Sequence, residues 1–139
     1  MPCGRRALRA AFCLCAIALA GVFASPRPAA ATDWALVMVE QAGCTYCARW
    51  NAEVAPEYPQ TPEGRFAPLR RVELRALPDE LGFDGRPVYT PTFVLFADGE
   101  EVDRLEGYPG EDFFWGLLGR MLDRAYPAWN TGGTGDADG

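Results

Sequence analysis

The chain has 139 residues, 49% of them hydrophobic, which is enough for one modest core and too little for two domains. Its thirteen basic residues are all arginine, nineteen residues are acidic, and histidine is absent, giving a net charge of −6. That balance disfavours nucleic acid and anionic lipid as partners, and the missing imidazole removes both a histidine base and any Cys/His metal site.

Arg5, Arg6 and Arg9 open the chain, and Ala10 to Ala24 is an apolar run shorter than the roughly 20 residues of a membrane-spanning helix. Ser25-Pro-Arg-Pro28 breaks the run, and Ala29-Ala30-Ala31 offers small residues of the kind a signal peptidase reads. Residues 1–31 are therefore expected to be a secretory signal peptide cut after Ala31, with Ala24 the second choice and an uncleaved anchor the competing reading. Cys13 and Cys15 lack the preceding small residues of a lipid-attachment site. Loss of the leader would remove Cys3, Cys13, Cys15 and four arginines, leaving nine arginines against nineteen acids, a net charge of −10. Cys44 and Cys47 would then be the only thiols.

Trp34 to Val39 is apolar without alternation, as expected of a strand buried on both faces. Cys44 to about Ala55 suits a helix stopped by Pro56 and Pro59, and Tyr58 to Gly64 reads as a Pro/Gly-rich loop. Leu69 to Leu74 is a second strand. Pro78 to Pro87 is irregular, with one helical turn at Asp79-Glu-Leu-Gly82. Thr92 to Phe96 is aromatic and β-branched, Asp98-Gly99 is a hairpin signal, and Glu101 to Glu106 returns as its partner. Phe113, Phe114, Leu117, Leu118, Met121 and Leu122 recur at helical spacing behind Glu111 and Asp112. A domain over 32–128 and a disordered tail over 129–139, glycine- and aspartate-rich from Thr131, complete the chain. The order predicts an α/β fold with a mixed four-stranded sheet, β-α-β then β-β-α, and helices on its faces.

A C-x-x-C between a strand and a helix suits thiol-disulfide exchange. The attacking sulfur must be a thiolate, and unpaired N–H groups at a helix start favour that charge. Cys44, behind Gly43, is the expected nucleophile, and Cys47, one turn further in, the resolving thiol. A structural disulfide is the first competing reading, but so short a loop removes little chain entropy. A metal site is the second, and it lacks further Cys or His ligands. Thr90-Pro91 opens a strong strand with a residue that cannot donate to the ladder, through either a cis bond or an edge position. Beside Cys44, the backbone of Thr90 would pair with an extended substrate segment.

Gly43-Cys-Thr-Tyr-Cys47, Thr90-Pro-Thr before Phe93-Val-Leu-Phe-Ala-Asp-Gly99, and Gly107 before the last helix resemble the thioredoxin superfamily over about Trp34 to Tyr126. The resemblance implies a minimal thioredoxin-like fold, a cis Pro91 packed on the disulfide, and a substrate surface of Thr45, Tyr46, Thr90, Pro91 and Gly107. Val39 to Trp50, Pro56-Glu-Tyr-Pro59, Ala67 to Val72 and Glu106 to Trp115 further resemble the SoxS-type periplasmic thioredoxin-like proteins of bacterial sulfur-oxidation clusters. Membership would imply a periplasmic reductase of a protein disulfide, keeping a sulfur-carrier protein active with electrons from a membrane thiol transporter and no cofactor beyond the disulfide. A general periplasmic oxidant or isomerase, or a cytochrome-maturation thioredoxin, is the alternative. Two departures stand out. Thr45-Tyr46 replaces the Gly-Pro of thioredoxins, and Met38 occupies the position of their buried aspartate, whose lysine partner is missing from a lysine-free chain. Proton transfer from Cys47 then falls to water or to Glu40, for which a solvated carboxylate is the plainer reading. The acidic surface, with Arg49 the only evident basic anchor, argues against glutathione.

Overall fold

The computed structural model describes residues 31–131; residues 1–30 of the expected signal peptide and residues 132–139 of the tail lie outside them. The elements are β1 (Trp34–Glu40), α1 (Thr45–Glu53), a 3-10 turn (Tyr58–Gln60), α2 (Pro62–Phe66), β2 (Leu69–Glu73), β3 (Thr92–Ala97), β4 (Glu100–Glu106) and α3 (Glu111–Ala125). They form one mixed sheet in the order β2-β1-β3-β4. β1 runs parallel to β2 and antiparallel to β3, and β3 pairs antiparallel with β4. A central strand covered on both faces must be apolar at every position, and Leu36 to Val39 are all fully buried. The β3–β4 turn has Asp98 at φ +53° and Gly99 at φ +85°, two left-handed residues whose twist matches the flanking strands.

Pleating sorts the core into two layers. On one face, Leu36, Met38, Phe93 and Leu95 meet Cys47 and Trp50 of α1, Val54 at its C-cap, and Phe114, Leu118, Met121 and Leu122 of α3. Phe113 does not join them; it is 70% exposed, so the buried stripe of α3 begins at Phe114. On the other face, Val37, Val39, Val72, Val94 and Phe96 are covered by Leu74, Leu77, Leu81 and Phe83 of the crossover between β2 and β3. That crossover is irregular. At Asp79 to Gly82 the structure has a hydrogen-bonded turn (Leu81 N–H to the Pro78 carbonyl, 3.3 Å) and a bridge from Gly82 to Glu100, not the expected helical turn. Arg104 pins it by donating to the carbonyls of Asp84 and Gly85 at 3.0 and 2.9 Å and to Glu101 at 2.6 Å.

The expected loop from Tyr58 to Gly64 is more ordered than its Pro/Gly content suggests. Thr61 caps α2 by accepting the Gly64 N–H at 3.0 Å, and Pro62 sits at the first helical position, where it has no hydrogen bond to lose. Tyr58 is fully buried between Trp50 and Trp115, with its hydroxyl donating to the Ala67 carbonyl at 2.8 Å. Trp129, at the start of the expected tail, packs on Phe66 and donates to Asp123 at 2.7 Å. Its ring gives the chain beyond α3 something to bury.

Candidate functional site

After β1 the chain turns through Gln41-Ala42-Gly43, with Gly43 at φ +79°, where a side chain would be strained. The Cys44 N–H closes the turn on the Gln41 carbonyl at 3.3 Å. Cys44 is the N-cap of α1, one position before the expected first turn, and its Sγ accepts the Cys47 N–H at 3.1 Å. That donor is one of the helix's otherwise unpaired N–H groups, so charge on this sulfur is met by a dipole already in place. Cys44 and Cys47 form a disulfide with Cα atoms 5.2 Å apart. Cys44 is partly exposed whereas Cys47 is 3% exposed, so a partner sulfur has access to Cys44.

Three segments distant in sequence converge here. The Thr90–Pro91 peptide bond is cis. Gln41 Nε2 donates to Thr90 Oγ1 at 3.1 Å, and the Gly107 N–H donates to the Pro91 carbonyl at 2.7 Å. The turn before Cys44, the Thr90-Pro91 corner and Gly107 are thus hydrogen-bonded in series. Among the described residues, neither the N–H nor the carbonyl of Thr90 has a backbone partner. Val88 and Tyr89, just before it, are 66% and 62% exposed. Three of the five expected substrate residues line two separate clefts, and Thr90 and Pro91 line neither of them. Tyr46 and Gly107 line a groove of about 580 Å³ with Arg49, Leu105 and Tyr108, whereas Thr45 lines one of about 440 Å³ with Cys44, Cys47, Glu40 and Asn51.

Glu40 is not a simple solvated carboxylate. It accepts from Arg71 Nη1 at 3.1 and 3.2 Å, and the same nitrogen donates to Asn51 Oδ1 at 2.7 Å. Arg49 is also engaged: it bonds Glu53 at 3.2 Å and its guanidinium carbon lies 5.6 Å from the centre of the Tyr108 ring. The Tyr108 hydroxyl donates to Glu53 at 2.6 Å. This bond, followed by Arg49, holds the Glu53 carboxyl below its ordinary range, while burial and then Glu53 push the Tyr108 phenol up. Among the described residues no group of Cys, Asp or Glu is arranged to hold a metal ion.

The family model of the thioredoxin-like domain matches residues 29–122. The chain belongs to the thioredoxin-like family. Among solved structures, the reduced form of the periplasmic thioredoxin SoxS from Paracoccus pantotrophus is 55% identical, covering 66% of this chain and 98% of that chain, with a TM-score of 0.64. A thioredoxin from Malassezia sympodialis is 18% identical, covering 64% of this chain and 77% of that one, with a TM-score of 0.49. No curated protein sequence matches. With its C-x-x-C disulfide on this fold, the protein is a thiol-disulfide oxidoreductase.

Within this thioredoxin-like site, Met38 is fully buried in the apolar cluster that also holds Cys47 and Trp50. Sequence reasoning did not single out Gln41, Asn51, Arg71 or Tyr108. One signal was available for Arg71: alternation along β2 puts it on the same face as Leu69, toward α1. The link from Gln41 to Thr90 spans 49 positions and has no local signature.

Proposed function

We propose that the protein is a periplasmic reductase that opens a disulfide on a protein partner, the sulfur-carrier protein of a sulfur-oxidation system. Cys44 attacks as thiolate, and Cys47 resolves the mixed disulfide. Glu40 takes up the proton that Cys47 releases. The partner's extended segment pairs with the backbone of Thr90 and lies over Thr45, Tyr46, Pro91 and Gly107. Residues 1–31 export the chain, electrons arrive from a membrane thiol transporter, and no cofactor beyond the disulfide is needed. The observation that carries this reading is the unequal setting of the two sulfurs. Cys44 is reachable and capped by an N–H, and Cys47 is buried behind it. The likeness to Paracoccus pantotrophus SoxS, a periplasmic thioredoxin, supports the compartment.

The test is a trapping experiment in periplasmic extract. Cys47→Ser should accumulate a mixed disulfide with the carrier protein, and Cys44→Ser should accumulate none. Trapping through Cys47 in the Cys44→Ser variant would reverse the assigned roles. A redox titration separates reductase from oxidant, since a potential near that of the strong oxidant DsbA, about −120 mV, would overturn the reductase reading.

A further inference from the structure

Pleating places alternate residues of the two parallel strands on the face covered by α1: Leu36, Met38 and Glu40 from β1, Leu69 and Arg71 from β2. Arg71 is the register partner of Met38. Its side chain runs along the apolar layer, with the guanidinium carbon 5.6 Å from the centre of the Trp50 ring and Nη1 3.7 Å from Met38 Sδ. Nη1 carries only two hydrogens. One is shared by the two oxygens of Glu40, and the other goes to Asn51 Oδ1 at 2.7 Å. A strand residue and a helix residue are thereby tied together in the wall of the cleft that Cys44 and Cys47 also line. Glu73, the register partner of Glu40, lines the adjoining groove with Glu40 and Arg71, and no other basic side chain lines either space. Neighbouring strands lie about 4.8 Å apart, so without Arg71 two carboxylates would stand side by side and repel.

We propose that Arg71 is a positioning residue for disulfide exchange: it clamps Glu40 and Asn51 in the wall of the cysteine cleft, so that Glu40 meets the proton leaving Cys47. This rests on the reading of Glu40 as proton acceptor. In the mixed disulfide, Cys44 Sγ is bonded to the partner sulfur and Cys47 is a thiol. The Cys47 proton passes through water to Glu40, and the Cys47 thiolate bonds to Cys44 Sγ. The bond from Cys44 to the partner breaks, and the partner leaves as a thiolate that takes up a proton from Glu40 or water. Two electrons have passed from the dithiol to the partner, and no further reactant is consumed. A free glutamate side chain samples many rotamers, and the clamp removes that freedom before the proton moves.

An aryl disulfide with coloured thiolates separates the two steps in the reduced protein. The first release reports attack by Cys44, and the second reports resolution by Cys47. In Arg71→Gln the second release should slow about a hundredfold, the lower end of what a positioned general base contributes, while the first stays within about twofold. Glu40→Gln should slow the second release as much, the double variant no further, and Arg71→Lys should recover most of the rate. If Glu40→Gln slows resolution and Arg71→Gln does not, the clamp is refuted while Glu40 keeps its role. If Glu40→Gln leaves resolution unchanged, the reading of Glu40 fails and the clamp fails with it. Equal slowing of both releases in Arg71→Gln would mean damage to the whole site, and would overturn the proposal.

Discussion

Replacing Tyr58 by phenylalanine removes one oxygen from the core and leaves the ring packed against Trp50 and Trp115. The hydroxyl donates at 2.8 Å to the carbonyl of Ala67, both residues are fully buried, and among the described residues no other donor reaches that carbonyl. The lost bond is worth about 1 kcal/mol and the stranded carbonyl costs about as much again, so Tyr58→Phe should destabilise by about 2 kcal/mol. For a domain of this size that lowers the melting temperature by about 10 °C. The difference should depend on pH. Burial, and then the charge of Glu63, push the Tyr58 phenol far above its ordinary value. Below the unfolded-state pKa of about 10 both states hold the proton and the stabilisation is complete. Above it the unfolded chain ionises first, and stability is lost as pH rises toward the folded value. One unit past the unfolded pKa, at pH 11, this loss is about 1.4 kcal/mol, narrowing the gap between wild type and variant to about 0.6 kcal/mol. Tyr108 shifts in the same direction in both proteins and cancels. Urea denaturation followed by tryptophan fluorescence at pH 7 and pH 11 measures both gaps. A gap below about 0.5 kcal/mol at pH 7, or one that does not narrow, would refute the reasoning.

Thr61→Ala should cost about 1 kcal/mol in the same assay by uncapping α2, with the rate of Cys44 alkylation unchanged. Gly64→Ala should cost more, about 3 kcal/mol, because a Cβ there would lie 1.8 Å from the Tyr58 carbonyl oxygen, and backbone must move to relieve it. Partial desolvation and then the neighbouring Glu57 carboxyl push Glu111 above its ordinary value. Its share of stability is therefore complete at acid pH and is lost as pH rises through the raised pKa. Glu111→Gln should melt higher than wild type at pH 7 and level with it near pH 4, and equal melting at both values would remove that account.

The central sheet was legible because its signals are local. An unbroken apolar β1, an aromatic β3 and an Asp98-Gly99 turn each state their own geometry. The prolines and glycine of residues 58–64 predict a loop by acting as breakers, yet Thr61-Pro62 is also the start signal of a helix, and α2 forms there. Helical periodicity groups Phe113 with the buried stripe of α3 because it identifies a stripe and not its edge. At the site, the cysteines and Thr90-Pro91 could be read directly. The Arg71 clamp could not, because it joins residues 20 and 31 positions apart that only sheet register brings together. Trp129 shows the converse, where the expected tail begins with one side chain that has a packing partner.

One sulfur of the redox disulfide, that of Cys44, is also the group that starts α1. Every knock-out of Cys44 is therefore also a change of helix cap. Serine leaves a hydroxyl that can accept the Cys47 N–H, whereas alanine leaves that donor bare, at a typical cost of about 1 kcal/mol. A dead alanine variant would mix lost chemistry with a frayed helix carrying Cys47 and Asn51, and the serine variant would report on the chemistry alone. Loss of function can be assigned to the thiol only when the replacement preserves the start of the helix.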